Sequence, residues 1–309
     1  MSFHFLSSAE WKSRDSASAR FGLQAKRAAE SIDAGQLLHR AALVISKCAA
    51  LGAIAAVACC ADSINARTLR VCADPNNLPF SNEAQQGFEN RLAEIIAAGL
   101  GATLKYTWWA ERASFLRNSL DSNRCDAVMG IPATMETLNV TAPYYRSTYV
   151  IVTRHDRRLH IESLLDPALD DCRIGVHVTG NDYAPPAAIL ARRGLSANIV
   201  AFSLFGSDGE QNPPSKLIDA VRSGDVDVAI VWGPFAGYFA RRGDPALDIY
   251  PVSPTSYLGT PFTYEISIAV RKGDSGLRDE INQVLQRHRE SIRSLLNEYG
   301  VPLVDEERP

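Results

Sequence analysis

Short apolar runs alternate with segments of helical period along the chain, and this alternation occurs twice. The first set of predicted strands comprises residues 68–73, 103–108 and 125–131, with helical segments between them. Such alternation is typical of right-handed βαβ units that build a parallel sheet. The pattern therefore predicts an α/β fold.

A second set of predicted strands follows at residues 173–178, 198–202 and 226–232. The chain then continues into a late strand at 262–271 and a long amphipathic helix at 276–299. These last two elements have no partners in the second set, so we expect them to return to the first.

Such a double crossing predicts two lobes, each with a mixed or parallel sheet, joined by a two-strand hinge near residues 151–154 and 262–269. The expected lobes are 67–152 plus 263–309, and 153–262. Ligands of open α/β sheets bind beyond the carboxyl ends of the strands. We therefore expect a ligand site in the cleft between the lobes.

The N-terminal part of the chain has the composition of an export signal. Residues 48–61 are an uninterrupted apolar run of 14 residues. A signal-peptide core has about 7–15 such residues, whereas a membrane span needs roughly 20. We predict cleavage after Ala66 and a periplasmic, non-spanning mature form. The alternatives are an uncleaved anchor and, less favoured, a lipoprotein modified at Cys59.

The charge of the chain argues against nucleic acid as a partner. It has 32 basic and 35 acidic residues, of which seven and five lie before residue 67. The mature form thus has 25 basic and 30 acidic residues, a net charge of −5. Such a chain has no basic field for a polyanion.

Export also divides the six cysteines into two groups. Cys72 and Cys125 stand on the first and third strands, which are expected to be sheet neighbours about 4.8 Å apart. We predict a disulfide between them in the oxidising periplasm, although the strand ends suggest an offset of a few residues. Cys172 would then be unpaired. The leader holds the other three: Cys48, Cys59 and Cys60.

Sequence signatures of catalysis are missing. The chain contains no G-x-S-x-G, H-E-x-x-H or C-x-x-C and no phosphate-binding Gly-Lys loop. Its histidines are isolated, and the adjacent Asp170 and Asp171 fall in a predicted loop. We expect a non-enzymatic protein with no cofactor and no metal.

Several short segments occur in an order that resembles a known family. They are Leu78-Pro79-Phe80, Gly87-Phe88 through Ile95, Asp126-Ala127-Val128-Met129-Gly130, Pro143-Tyr144-Tyr145, Ile174-Gly175-Val176 and Val226-Asp227-Val228-Ala229. Over about residues 68–300 the chain resembles the type II periplasmic solute-binding proteins of ABC transporters. This resemblance implies the two-lobe binding fold, a small-molecule ligand and an ABC permease as partner.

A narrower resemblance concerns the MoxJ/XoxJ-like branch, which is associated with quinoprotein dehydrogenases. It is carried by residues 70–82 (RVCADPNNLPFSN), 87–90 (GFEN), 106–109 (YTWW), 124–126 (RCD) and 143–147 (PYYRS). The branch implies work with methanol or alcohol oxidation that depends on pyrroloquinoline quinone (PQQ). The implied partners are a PQQ-dependent alcohol dehydrogenase and its cytochrome.

The chain departs from amino-acid-binding relatives at both of their charged contacts. Those relatives pair the ligand carboxylate with an Arg after the third strand, where this chain has Thr137. They also hold the ligand ammonium with an Asp after the late second-lobe strand, where this chain has Trp232-Gly233-Pro234. An ordinary α-amino acid is therefore disfavoured as the ligand.

Candidate ligand-binding residues follow from strand ends that face the predicted cleft. They are Asp74, Asn76, Phe80, Trp108, Trp109, Met129, Gly130, Thr179, Gly180, Asn181, Asp182 and Trp232. Structural roles compete for several of them: Asp74 before a proline suits an Asx-turn. Adjacent strand residues face opposite ways, so one of the two neighbouring tryptophans is expected in the core. Thr179-Gly180 suits a helix cap.

The favoured function is a periplasmic protein that binds a small polar ligand between its lobes. The alternative is a non-transport accessory protein that docks on the quinoprotein dehydrogenase and helps to mature or activate it. A receptor sensor domain is a third, less favoured, hypothesis.

Overall fold

The computed structural model describes residues 67–305, apart from 111–114, 136, 181, 207–209 and 242. The predicted leader, the cleavage site after Ala66 and the candidate residue Asn181 lie outside the described residues.

The first part of the described chain follows the predicted strand–helix alternation. Its elements are β1 (Thr68–Ala73), β2 (Asn76–Asn77), β3 (Ser81–Asn82), α1 (Phe88–Gly99), β4 (Thr103–Trp108), α2 (Phe115–Asn118), β5 (Ala127–Pro132), β6 (Asn139–Val140) and β7 (Tyr145–Arg154). Strands β1 and β4 match the predicted residues at both ends. Strand β5 begins two residues later than predicted.

The second part begins after a 3-10 turn at His155–Arg157, and two further 3-10 turns occupy Pro167–Asp171 and Leu195–Asn198. Its elements are β8 (Ile174–Thr179), β9 (Asp182–Tyr183), α3 (Ala187–Arg192), β10 (Ile199–Ser203), α4 (Ser215–Ser223), β11 (Val228–Trp232), α5 (Gly233–Phe239), β12 (Leu247–Pro251), β13 (Ser256–Tyr257), β14 (Thr260–Pro261), β15 (Thr263–Val270), α6 (Ser275–Arg287) and α7 (Arg289–Glu298).

The start of α1 shows how sequence fixes local structure. Asn90 accepts hydrogen bonds through Oδ1 from the N–H groups of Gly87 (3.0 Å) and Asn82 (3.2 Å). A Cβ at Gly87 would overlap the carbonyl oxygen of Phe80, so only glycine allows this close approach. These hydrogen bonds and the close backbone approach hold the loop after β3 against the first turn of α1.

Eleven of the described strands form one hydrogen-bonded sheet, with the central order β10-β8-β11-β7-β15-β5-β1-β4. Strand β1 runs parallel to both β4 and β5, and β8 runs parallel to both β10 and β11. Strands β7 and β15 run antiparallel to their neighbours and connect these two parallel groups. The sheet is therefore mixed, with a β7–β15 junction in its middle.

Strand β7 takes part in both groups. Its first residues, Tyr145–Thr148, pair with β15, whereas Tyr149–Thr153 pair with β11. Thr148 strengthens the junction, because its Oγ1 donates to the Phe262 carbonyl at 3.0 Å. The predicted hinge region near 151–154 thus belongs to the second group of strands, and the contact with β15 lies a few residues earlier.

Separate apolar cores cover the two groups of strands. One core packs α1, α6 and α7 on the first group and includes Phe88, Ile96, Ile281 and Leu296. Two further cores lie on opposite faces of the second group. Neighbouring residues alternate between these two cores: Val150 packs in one and Ile151 in the other, as the two-residue period of a strand requires.

The same type of ion pair stands at the start of both parallel groups. Arg70 donates from Nη2 to Asp126 Oδ1 at 2.7 Å, and its backbone N–H donates to Oδ2 at 2.9 Å. In the second group the backbone N–H of Arg173 donates to Asp227 Oδ2 at 2.9 Å, and its Nε donates at 3.3 Å. Each pair fixes a first strand against the residue that precedes its parallel neighbour. Desolvation by burial acts to raise the pKa of both aspartates, but the arginine hydrogen bonds and charges together outweigh it, so each pKa lies below its ordinary value.

The prediction of one helix over residues 276–299 is wrong. Helix α6 ends at Arg287, and α7 begins at Arg289, with His288 at φ −105° and ψ 15° between them. The buried stripe stops at Leu285 and resumes at Ile292, with polar residues at 286–291 in between. Because no apolar side chain anchors that polar segment to the core, the axis can change direction there.

A disulfide joins Cys72 of β1 to Cys125, two residues before β5. The Cα atoms of the two residues are 5.6 Å apart, within the usual range for a disulfide. In the sheet register Cys72 lies opposite Val128, so the bridge spans the offset of a few residues that the sequence suggested. Cys172 is a free, buried thiol whose Sγ donates to the Ala168 carbonyl at 3.1 Å.

Helices of the described part are not long and apolar enough to cross a membrane.

We expect the disulfide to contribute about 3–4 kcal/mol to the free energy of unfolding, because it closes a loop of 53 residues in the unfolded chain. Urea unfolding of Cys72→Ala and Cys125→Ala should show this loss in each single variant and in the double variant alike. Cys172→Ala serves as the matched control and should cost clearly less. Equal stability of all variants would contradict a closed bridge in the exported protein.

Candidate functional site

A pocket of about 430 Å³ lies where the two groups of strands meet. This volume is within the range of roughly 300–1,000 Å³ that is usual for small-molecule sites. Its described lining is Gly130, Pro132, Tyr149, His177, Thr179, Asp182, Tyr183, Ala184, Pro185, Leu204, Trp232, Phe235, Tyr264 and Ile266. The first strand group contributes through β5, the second through β8, β9 and β11, and the connecting strands β7 and β15 contribute Tyr149, Tyr264 and Ile266.

Three aromatic side chains form what we call the aromatic wall: Tyr149, Trp232 and Tyr264. The ring centroids of Tyr149 and Trp232 are 5.4 Å apart, and those of Trp232 and Tyr264 are 5.9 Å apart. The planes are inclined at 62° and 69°, so the rings form a corner rather than a flat stack. Each ring stands on a different strand (β7, β11 or β15), which fixes the wall through the sheet.

The two tyrosine hydroxyls of the aromatic wall are uncharged. Burial raises the pKa of Tyr149 and of Tyr264, so both remain neutral phenols at ordinary pH. The Tyr264 hydroxyl donates to the Pro261 carbonyl at 2.7 Å, which fixes the ring's outer edge.

His177 is a buried, neutral histidine in the pocket lining. Burial lowers its pKa to about 4, and the bond to the Pro214 carbonyl opposes this shift. That bond joins Nε2 to the Pro214 oxygen at 3.2 Å. Because a carbonyl oxygen only accepts, Nε2 must carry the hydrogen, and Nδ1 therefore keeps its lone pair. The ring packs edge-on to Phe235, with centroids 5.2 Å apart.

Gly130 lies within β5, two residues before its end, lines the pocket and has φ +74°. A Cβ there would lie 2.9 Å from Glu89 Oε1, so the glycine lets this carboxylate approach the β5 backbone. The Tyr144 hydroxyl donates to the same Glu89 oxygen at 2.9 Å. A hydrogen-bonded carboxylate therefore lies against Gly130.

The loop after β8 supplies the polar rim. Thr179 and Asp182 both line the pocket, and they form a short antiparallel pair between β8 and β9. Gly180 joins them with φ +62° and open space around it. Thr179 does not cap a helix here, because α3 begins only at Ala187.

The structure brings four of the predicted site residues into the pocket lining: Gly130, Thr179, Asp182 and Trp232. Asp74 and Met129 instead line a separate cavity of about 20 Å³, which is large enough for a single water molecule. Asp74 accepts through Oδ1 from the Asn76 N–H at 2.8 Å, which is the Asx-turn that competed with the ligand role.

Asn76 makes a contact between the two parts of the chain. Its Nδ2 donates to the Glu210 carbonyl at 2.6 Å, and its Oδ1 accepts from the Asn212 N–H at 3.0 Å. Phe80 packs between Phe88 (5.2 Å) and Phe235 (5.1 Å) and so belongs to the apolar contact beside the pocket.

The two neighbouring tryptophans lie outside the described pocket lining. Trp108 stacks on Tyr106, with centroids 4.5 Å apart and planes 14° apart. Trp109 is 37% exposed and lies beneath the Arg124 guanidinium, 4.8 Å from the ring centroid. Trp108 is half-buried and Trp109 is exposed, so the expectation that one of them lies in the core is wrong.

A further set of contacts, here called the rear contact, joins α5 to the residues that end α7. Tyr238 and Tyr299 stack with centroids 5.9 Å apart and planes 15° apart. Arg241 Nη1 donates to the Asn297 carbonyl at 3.1 Å. The backbones of Gly237 and Gly300 approach so closely that a Cβ on Gly237 would overlap the Gly300 oxygen. The rear contact therefore requires glycine at its centre.

Several lining residues were not among the sequence candidates, notably Tyr149, His177 and Tyr264. The two tyrosines stand on the junction strands β7 and β15, whose pocket-facing positions are set by pairing between distant segments. His177 could have been found, because it stands two residues before Thr179 and so shares its strand face.

The charged side chains of the described pocket lining are all of one sign. Asp182 is the carboxylate, and no Lys or Arg occurs among the described lining residues. Within the described part of the chain no cluster of His, Cys, Asp and Glu could hold a metal ion. The arrangement therefore suits recognition by aromatic faces and hydrogen bonds rather than by a basic clamp.

Comparison with protein-family models shows to which family the chain belongs. A family model described as bacterial extracellular solute-binding proteins, family 3, matches residues 69–301. The chain belongs to this family. The predicted resemblance is confirmed, and so is the two-lobe type II α/β fold class. Membership of an extracellular family also implies export.

Relatives of this solute-binding protein include the protein MoxJ of Paracoccus denitrificans, 31% identical over 79% of this chain and 91% of MoxJ. The crystal structure of MxaJ from Methlophaga aminisulfidivorans MPT is similar with a TM-score of 0.65 and 30% identity, over 77% of this chain and all of that one. The periplasmic binding protein XoxJ from Methylobacterium extorquens AM1 is similar with a TM-score of 0.64, 33% identity and the same coverage.

Because His177 is neutral when folded, it makes this solute-binding protein less stable in acid. The unfolded chain takes up the proton near pH 6.5, whereas the folded chain does so only near pH 4. Between these values the unfolded state binds more protons, so the free energy of unfolding falls as the pH is lowered. This contribution is absent above pH 6.5 and reaches about 3 kcal/mol at pH 4.

Urea unfolding between pH 7.5 and 4 tests this expectation with His177→Gln, whose amide can still donate to Pro214. The variant should lose less stability than the wild type over that range. The exposed His160→Gln is the control and should follow the wild-type curve. A His177→Gln curve parallel to the wild type would contradict a neutral buried histidine.

Proposed function

We propose that the chain is a periplasmic substrate-binding protein of the ABC-transporter type that serves a PQQ-dependent methanol or alcohol dehydrogenase system. It binds a small polar ligand and does not transform it. The pocket carries this proposal, since residues of both strand groups contribute to one cavity of about 430 Å³. Similarity to MoxJ and XoxJ over most of the chain supports the link to methanol oxidation.

In this proposal the ligand lies between lobes formed by residues 67–152 plus 263–309 and by residues 153–262. A ligand that contacts both lobes stabilises the arrangement in which those contacts exist together. Gly130 and Tyr264 would contribute from one side, and Thr179 and Trp232 from the other.

A thermal-shift screen of the purified periplasmic form against a metabolite library tests the binding function. A true ligand at a hundred times its dissociation constant should stabilise the protein by about 2.7 kcal/mol. Trp232→Ala should abolish the shift, because it removes the centre of the aromatic wall. Trp109→Ala is the matched control, since that tryptophan lies outside the described lining.

Hits should also be followed by small-angle scattering, in which ligand-dependent compaction is expected. Scattering and melting temperatures that stay unchanged across the library would count against a ligand-binding role.

The rear contact favours a second candidate, the non-transport accessory protein that docks on the quinoprotein dehydrogenase. Gly237 packs on Gly300, and Tyr238 stacks on Tyr299, and none of these four residues belongs to the described pocket lining. Contacts of this kind hold two parts of a chain in one arrangement, and a fixed arrangement suits a docking surface better than a cycle of opening and closing.

Gly237→Ala tests the accessory role, because its Cβ cannot be accommodated beside Gly300. In a host with the dehydrogenase, the wild type should co-purify with that enzyme and Gly237→Ala should not. Gly276→Ala is the control, since a Cβ there meets open space. Full dehydrogenase activity in a strain that lacks the protein would exclude this candidate.

A further inference from the structure

The aromatic wall is a fixed electrostatic surface as well as an apolar one. The face of an aromatic ring is electron-rich and attracts a cation placed within about 6 Å of its centroid. Trp232 gives the strongest such attraction of the aromatic side chains, and it stands in the middle of the wall. Its neighbours Tyr149 and Tyr264 are inclined to it, so the wall surrounds a corner of the pocket.

The lining has the charge that a cation requires, because Asp182 contributes a carboxylate to it. The described lining contains no Lys or Arg that would repel a positive ligand or attract a carboxylate. His177 adds no positive charge, because its burial keeps the imidazole neutral.

Hydrogen-bonding groups fit the same chemistry. His177 uses Nε2 to donate to the Pro214 carbonyl, which leaves Nδ1 able to accept. Asp182 is also an acceptor. A ligand that carries N–H or O–H donors beside its charge therefore finds acceptors within the lining.

We propose that this pocket binds a small organic cation of the alkylammonium class. Its charged group lies against Trp232, and the Asp182 carboxylate supplies the opposite charge in the lining. The proposal rests on the proposed function, because it assigns a ligand class to that pocket. It agrees with the expectation from the sequence that Thr137 stands where amino-acid-binding relatives have the Arg that pairs the ligand carboxylate.

Isothermal titration of the exported protein, purified from the periplasm, tests the proposal with three probes of nearly equal shape. They are choline (a cation), 3,3-dimethylbutan-1-ol (its neutral carbon isostere) and 3,3-dimethylbutanoate (an anion). Choline should bind at least about tenfold more tightly than the alcohol, because only the cation gains the cation–π attraction of the wall. The anion should not bind.

Variants locate the charge preference. Trp232→Leu should weaken choline binding about tenfold and leave the affinity for the alcohol nearly unchanged. Asp182→Asn should weaken it severalfold in low salt and have little effect in 1 M salt, as expected for an exposed charge. Tyr264→Phe, which keeps the ring, should bind choline like the wild type and remains informative if the Trp232 variant does not fold. Trp109→Leu is the control.

Each other outcome overturns the proposal. Equal affinity for choline and the alcohol would make the pocket a simple apolar site, in which case the binding function stands and the cation preference fails. Tighter binding of the anion would reverse the assigned charge. Binding of none of the probes up to 10 mM would exclude the alkylammonium class. The library screen would still decide separately whether the pocket binds any ligand.

Discussion

The antiparallel pairing of β7 with β15 is the interaction on which the arrangement of this protein depends. Both strands run from one group of parallel strands towards the other, and they are bonded to each other at Thr148 and Thr263. The Tyr149 N–H donates to the Phe262 carbonyl at 2.9 Å at the same junction. Because Tyr149 and Tyr264 stand on these strands, the crossing of the chain also builds two sides of the pocket. The pairing of β7 with β15 therefore determines both the topology of the sheet and part of the pocket lining.

Much of the fold could be predicted from local patterns. Strands β5 and β11 are continuous apolar runs that end at Pro132 and before Gly233-Pro234, and such runs depend little on distant residues. The break at His288 could not be predicted in this way, since the helical period continues in phase from Leu285 to Ile292 across the polar segment. Strand β12 was not predicted either. It pairs with β7, but its residues are only half-buried, so its sequence lacks the apolar pattern that indicates a strand.

The candidate site was predictable where the end of a strand alone determines which residue lines the pocket, as at Thr179 and Trp232, the last residues of β8 and β11. Prediction was less successful where two segments had to be brought together. Asp74 and Asn76 also follow a strand end, but the first closes an Asx-turn and the second bonds to Glu210 and Asn212 across the chain. Such competing partners depend on loop conformation, which periodicity does not encode.

The position of Trp232 has a spectroscopic consequence. Of the tryptophans that the structure describes, Trp108 is stacked on Tyr106 and Trp109 lies beneath Arg124, whereas Trp232 faces the pocket. A molecule that enters the pocket replaces water beside one indole and leaves the surroundings of the other two unchanged. The emission of the unlabelled protein therefore contains one component that responds to occupancy, and Trp232→Phe would identify it by subtraction.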